Sequence, residues 1–232
     1  MRVRGRWILW ATVLCSALLP LGCGPKGSAV IVDLGRTPRS YVPSDYRTVL
    51  KRWTRTAVIT RDFDTTLDVA ATFKSYDFRW AWAVKYAAHY QLSTADQDRL
   101  IKQQLAELEA AYEFHISATA SRFEWIDFHK KDSVWRITLL DDRGNEVAPI
   151  EIQKLKIPAA ELETFYPPST RSEPVTSFYT TYLVRFPTRL PNGQPFDLEH
   201  AGKVTLRISG VLGAVELNWL LRPPAAAGSG AL

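Results

Sequence analysis

The stretch Val134–Leu155 constrains the fold more than any other. Trp135, Ile137 and Leu139 alternate with Arg136 and Thr138, and a period of two marks a strand with one buried face. Asp141-Asp142-Arg143-Gly144 follows as a type I turn, with Gly144 free to take positive φ and form a bulge. Val147, Ile150 and Ile152 then read as the returning strand. An apolar strand face has to be covered by a second layer, so this hairpin predicts a β-sandwich with Trp135 in its core.

The same alternation recurs along the chain. Leu67, Val69, Ala71 and Phe73 form one set, Phe114, Ile116 and Ala118 a second, and Phe178, Thr180, Tyr182, Val184 and Phe186 a third. Val204, Leu206 and Ile208 are followed, across the turn Gly210–Gly213, by Val215, Leu217 and Trp219. Weaker signals lie at Val30–Leu34 and at Ala57, Ile59 and Phe63. Seven or eight strands with regular turn signals, among them Pro191-Asn192-Gly193-Gln194-Pro195, predict a mainly β fold. The expected form is an Ig-like two-layer antiparallel β-sandwich with an inserted α-helical hairpin. It lacks the Cys…Trp…Cys hallmark of true immunoglobulin domains, and Trp135 and Trp219 are its expected central residues.

The helices are read from a period of 3.6. Tyr46, Val49, Leu50 and Trp53 predict a short amphipathic helix over Asp45–Trp53 with Ser44 as N-cap, and Tyr41, Tyr46 and Trp53 are expected to pin it to the body. Phe78, Trp80, Trp82, Val84, Tyr86 and Tyr90 belong to a helix over Asp77–Tyr90. Ser93 caps the next, whose stripe is Leu100, Ile101, Leu105 and Leu108 and whose end carries Glu107 and Glu109, against the helix dipole. This hairpin, at about residues 77–112, is far longer than two strands need for their connection. It is expected to cover a sheet or a sandwich edge while leaving one or two aromatics exposed. Pro158–Leu162 reads as a single helical turn.

The N-terminus supplies an address. Arg2, Arg4 and Arg6 precede the uncharged apolar run Trp7–Leu19, too short to span a bilayer as a helix. The run ends in Leu19-Pro20-Leu21-Gly22-Cys23. This segment resembles the signal peptide and lipobox of bacterial lipoproteins, although Pro20 stands where a Leu is usual. The resemblance implies cleavage after Gly22, acylation of Cys23 and palmitate among its acyl chains. Gly24 is not the Asp that retains some lipoproteins at the inner membrane. The expected location is therefore the bacterial cell envelope, at the outer membrane facing the periplasm or at the cell surface. The expected organisation is a signal peptide over 1–22, a tether over 23–29, one sandwich domain over 30–222 and a disordered tail over 223–232. Arg52-Trp53-Thr54-Arg55, Ser133-Val134-Trp135-Arg136 and Gly213-Ala214-Val215-Glu216-Leu217-Asn218-Trp219 also resemble, loosely, Gram-negative lipoproteins with a helical hairpin between sandwich strands. That group has no established activity, so the likeness implies architecture and address alone.

Removing residues 1–22 takes away three arginines and no acids, so the net charge falls from +5 to +2. Nucleic-acid binding thereby loses its compositional support. Cys15 leaves with the signal, and Cys23 alone cannot form an intrachain disulfide, serve as a buried catalytic thiol or build a cysteine zinc site. His89, His115, His129 and His200 stand far apart, and the trio Asp127, His129 and Asp132 reads as a solvated loop. No metal site, cofactor motif or catalytic constellation is expected. The reading that follows is a non-catalytic binding or structural lipoprotein, attached to the membrane by its lipid and engaging an envelope protein. The alternative is a glycan- or lipid-binding module that uses Trp80, Trp82, Trp125 and Tyr166 as stacking platforms.

Overall fold

The computed structural model describes residues 30–166 and 179–222. The expected signal peptide, Cys23, the expected tether, Phe178 and the expected tail lie outside the described residues.

Two five-stranded sheets pack face to face. The first contains β1 (Ile31–Val32), β5 (Trp135–Asp141), β6 (Glu146–Val147), β9 (Lys203–Gly210) and β10 (Gly213–Leu221), in the order β1-β10-β9-β5-β6. The second contains β2 (Thr54–Arg61), β3 (Asp64–Phe73), β4 (Tyr112–Thr119), β7 (Glu151–Leu155) and β8 (Thr180–Phe186), in the order β2-β3-β4-β8-β7. Every strand pair is antiparallel except β1 with β10. This is the expected mainly β sandwich with a helical insertion.

Register sorts side chains between faces. Val69 pairs with Ala118, Ala71 with Ile116 and Phe73 with Phe114 on the inner face of the second sheet. Ile137 pairs with Ile208 and Leu139 with Leu206 on the inner face of the first. Trp219 joins the two layers, with its ring 5.3 Å from Phe114 and 6.2 Å from Phe73. Its indole nitrogen donates to the Trp53 carbonyl at 2.9 Å. Trp135 and Trp219 are both buried, and a buried aromatic of this size is worth about 3–5 kcal/mol against alanine.

The organising hairpin is shorter than its pattern suggests. Gly144 adopts φ 87° at the turn, and Asp141 Oδ1 accepts from the backbone nitrogens of Arg143 and Asn145 at 2.9 Å. The return pairs only Glu146 and Val147 with β5. Pro149 has no N–H to give the ladder, and the chain crosses there to the other sheet. Ile152 thus pairs with Val184 of β8, while Ile150, expected inward, is exposed. Phe63, also expected inward, occupies the β2–β3 turn at φ 70° and is fully exposed.

Among the described residues four α-helices accompany the sheets: α1 (Tyr46–Trp53), α2 (Tyr76–His89), α3 (Thr94–Ala110) and α4 (Ala159–Phe165). A 3₁₀ turn over Pro43–Asp45 leads into α1, and Ser44 makes no capping bond there; Asp45 Oδ2 accepts instead from the Val42 nitrogen at 2.9 Å. The Ser93 hydroxyl accepts from the Asp96 nitrogen and caps α3 as expected. The Ser75 hydroxyl does the same for α2 through the Phe78 nitrogen. The expected single turn near residue 160 extends to Phe165.

Candidate functional site

The α2–α3 insertion joins β3 to its neighbour β4 and lies on the outer face of the second sheet, not along an edge. The residues it meets there are Glu113 and its surroundings. Glu113 follows the alternation of β4, so it faces away from the inner core, yet it is 1% exposed. Arg79 of α2, itself fully buried, donates to Glu113 Oε2 at 2.5 Å, to Glu107 of α3 at 2.9 Å and to the Lys74 carbonyl at 2.9 Å. Lys74 reaches the same Oε2 at 2.8 Å, and Arg185 of β8 reaches Oε1 at 2.8 Å. Burial pushes the Glu113 carboxyl up, but Lys74 and Arg79 outweigh it and hold the group down at about 2. The cluster thus anchors helix to sheet with a carboxylate that stays charged. Glu109, the other acid at the end of α3, pairs with Arg36.

A second buried polar group anchors the start of α2. Asp77 accepts from the Trp53 indole at 2.8 Å, from Arg52 at 3.1 Å and from the Tyr41 hydroxyl. Tyr46 is buried and donates to the Phe165 carbonyl at 2.5 Å. Tyr41, Tyr46 and Trp53 therefore pin their segment to the body, as the sequence suggests.

Two residues along from Glu113 on the same strand face, His115 is buried beneath Tyr166, the rings stacked at 3.7 Å and 13°. Burial, with the nearby Lys74 charge, lowers its pKa to about 3, so it is neutral at physiological pH. Its Nε2 and the Ser117 hydroxyl have no hydrogen-bond partner among the described residues. A serine nucleophile needs its base within hydrogen-bond reach, and this pair makes no such bond.

Above this face the helices leave a cleft of about 710 Å³, bounded by Pro43, Ser44, Tyr46, Arg47, Leu50, Lys85, Thr164 and Tyr166. Its size is that of ligand sites, about 300–1,000 Å³. Tyr166 thus forms part of the cleft wall on one side and stacks on His115 on the other. Tyrosine rings and Leu50 offer apolar contact, while Arg47 and Lys85 bring positive charge. Among the described residues no acidic side chain lines the cleft.

The other expected stacking platforms do not line this cleft. Trp82 stacks on Tyr86 at 4.8 Å and meets Phe165 at 6.0 Å, in a cluster that clasps α2 to α4. Tyr90 closes the same clasp by donating to Glu161 at 2.8 Å, and it is 44% exposed. Trp80 is half-buried against Tyr76. Trp125 lies in a 3₁₀ turn over Phe123–Ile126, under the Arg122 guanidinium. Its carbonyl accepts from the Trp135 indole at 2.5 Å. The cleft residues Arg47 and Lys85 carry no sequence signal, because a helix–helix cleft juxtaposes positions almost forty residues apart.

Among the described residues no cluster of three metal-ligating side chains occurs. Asp127 pairs with Lys130 at 2.6 Å and His200 with Asp197 at 2.7 Å. No described helix is long and apolar enough to cross a membrane.

No family model matches the sequence, and no curated protein matches it. A solved structure from Burkholderia pseudomallei K96243, described as a novel protein of unknown function, aligns over 78% of this chain and 92% of its own, with a TM-score of 0.37 and 8% identity.

Proposed function

We propose that the protein is a cell-envelope lipoprotein, held to the membrane through acylated Cys23, and that its sandwich is a non-catalytic module that binds a small amphiphilic ligand between the helices and the second sheet. The cleft carries this reading: it is concave, of ligand size, and combines tyrosine walls with two cations that have no ion-pair partner among the described residues. It moves weight from a purely structural role toward the ligand-binding alternative, and from the four aromatics jointly to Tyr166. The first strand begins at Ile31, eight residues past Cys23. That tether spans at most roughly 28 Å, which keeps the cleft within reach of lipid or envelope polymer.

Two measurements test the reading. The wild type should incorporate labelled fatty acid and Cys23→Ala should not; unlabelled wild type would remove the anchor. Leu50→Trp should fill the cleft, and native mass spectrometry of the membrane-extracted protein should then lose any small molecule carried by the wild type. A ligand retained by the filled variant would place the site elsewhere.

Engagement of an envelope protein has support of its own in β2. This eight-residue strand ends the second sheet, with Thr56, Val58 and Thr60 exposed; Arg55 on it donates to the Asn218 carbonyl of β10 at 2.8 Å, so a partner strand would have to share this edge with β10. Proline in place of Thr56 or Val58 should abolish crosslinking to such a partner while sparing the cleft.

A further inference from the structure

The geometry points to a phosphate-bearing amphiphile as the ligand of the cleft, its phosphate taken by Arg47 and Lys85 and its apolar part laid against Tyr46, Leu50 and Tyr166. This rests on the cleft being the ligand site. Arg47 comes from α1 and Lys85 from α2, yet both line one concavity whose described lining holds no acidic residue. Neither makes an ion pair or hydrogen bond among the described residues. The neighbouring cations of this layer are answered: Arg52 by Asp77, Arg79 by Glu107 and Glu113, and Lys74 by Glu113. Two positive charges therefore remain unneutralised among the described residues, in a concavity whose shape focuses their pull on an anion.

Charge balance selects the class of anion. A phosphate monoester carries about −1.5 to −2 near neutral pH, which matches two cations, whereas a carboxylate matches one. A guanidinium offers a fork of donors to phosphate oxygens and an ammonium adds a point charge. The Ser44 hydroxyl, also on the wall, has no partner among the described residues and can donate a further bond. The apolar wall requires more than the anion. Leu50 and the two tyrosine rings gain from contact with a hydrocarbon or glycerol body, which inorganic phosphate lacks.

The test uses the full lipidated chain in a phosphate-free maltoside detergent. Affinities are measured for lysophosphatidic acid, a monoacylglycerol of the same chain length, the corresponding fatty acid, and inorganic phosphate. Lysophosphatidic acid should bind at least thirtyfold more tightly than each of the other three. Arg47→Ala/Lys85→Ala should remove most of that advantage, with an unchanged thermal midpoint, and raised salt should weaken wild-type binding. Equal binding of the monoacylglycerol, or indifference to the double substitution, overturns the phosphate contact. Equal binding of the fatty acid overturns the phosphate class. Equal binding of inorganic phosphate overturns the amphiphile. In each of those cases binding that Leu50→Trp abolishes preserves the cleft as the site. If no probe shows binding sensitive to Leu50→Trp, the cleft reading and this inference fall together.

Discussion

The two outer faces of the sandwich carry ion-pair clusters of similar composition and opposite setting. On the first sheet, Arg207 meets Glu216 at 2.9 Å and Glu146 at 3.9 Å, and Arg136 meets Glu146 at 3.5 Å. All four residues are more than a third exposed. On the second sheet, Arg79 and Glu113 are sealed under helices. Exposed pairs gain little in water and pay side-chain entropy. Buried pairs have already lost their hydration, so breaking one leaves a charge with no answer. The same chemistry is thus marginal on one face and decisive on the other. The face that the insertion covers also holds the Arg47–Lys85 cleft.

The core between the sheets sets the scale for disrupting either face. Trp219→Ala should cost about 3–5 kcal/mol, read as a fall in denaturant midpoint with little change in slope. A near-neutral result would show that Trp219 does not join the layers. Arg79→Met should follow closely, at about 3–5 kcal/mol, because Glu113 loses one of its buried cations. Calorimetry that finds less than about 1 kcal/mol would make the covered cluster equivalent to the exposed one.

Acid should separate the two faces more finely. Folded His115 titrates near 3 against an ordinary 6.5, so below 6.5 the unfolded chain binds a proton that the folded chain refuses. Stability is full above 6.5 and falls as pH drops toward 3, at up to roughly 1.4 kcal/mol per pH unit. Glu113 adds loss in the same direction, from about 4.5 down to 2. His115→Leu should flatten the stability profile between pH 6 and 5 and leave the steeper decline below 4.5. A profile unchanged by that substitution would mean that water reaches the imidazole. The smallest effect belongs to the exposed face: Glu216→Ala should change stability by less than about 1 kcal/mol, and 0.5 M salt should erase the difference.

Much of the sandwich is legible in the sequence, since each strand has to present one apolar face and a period of two records it. Trp135, Ile137 and Leu139, or Val204, Leu206 and Ile208, report their own burial. The caps are local as well: Ser93 closes α3 because the hydroxyl and the nitrogen it binds are three residues apart. The polar side of β4 is different. Glu113, His115 and Ser117 occupy positions that the alternation assigns to solvent, and the structure buries them. The pattern records one covered face per strand, and β3 and β4 have two. Glu107 and Glu109 oppose the helix dipole locally, and their cations, Arg79 and Arg36, come from distant segments.

What the sequence by itself determined is therefore the set of contacts written in local periodicity: the strands, the helices, the turn at Gly144 and the apolar layer between the sheets. Where the strand after that turn goes was decided by tertiary structure, because Pro149 ends the ladder but does not name the sheet that receives β7. The charged anchor under the insertion and the Arg47–Lys85 cleft were decided there too. A pairing across tens of residues is selected by the free energy of the whole packed layer, and no short-range pattern encodes it.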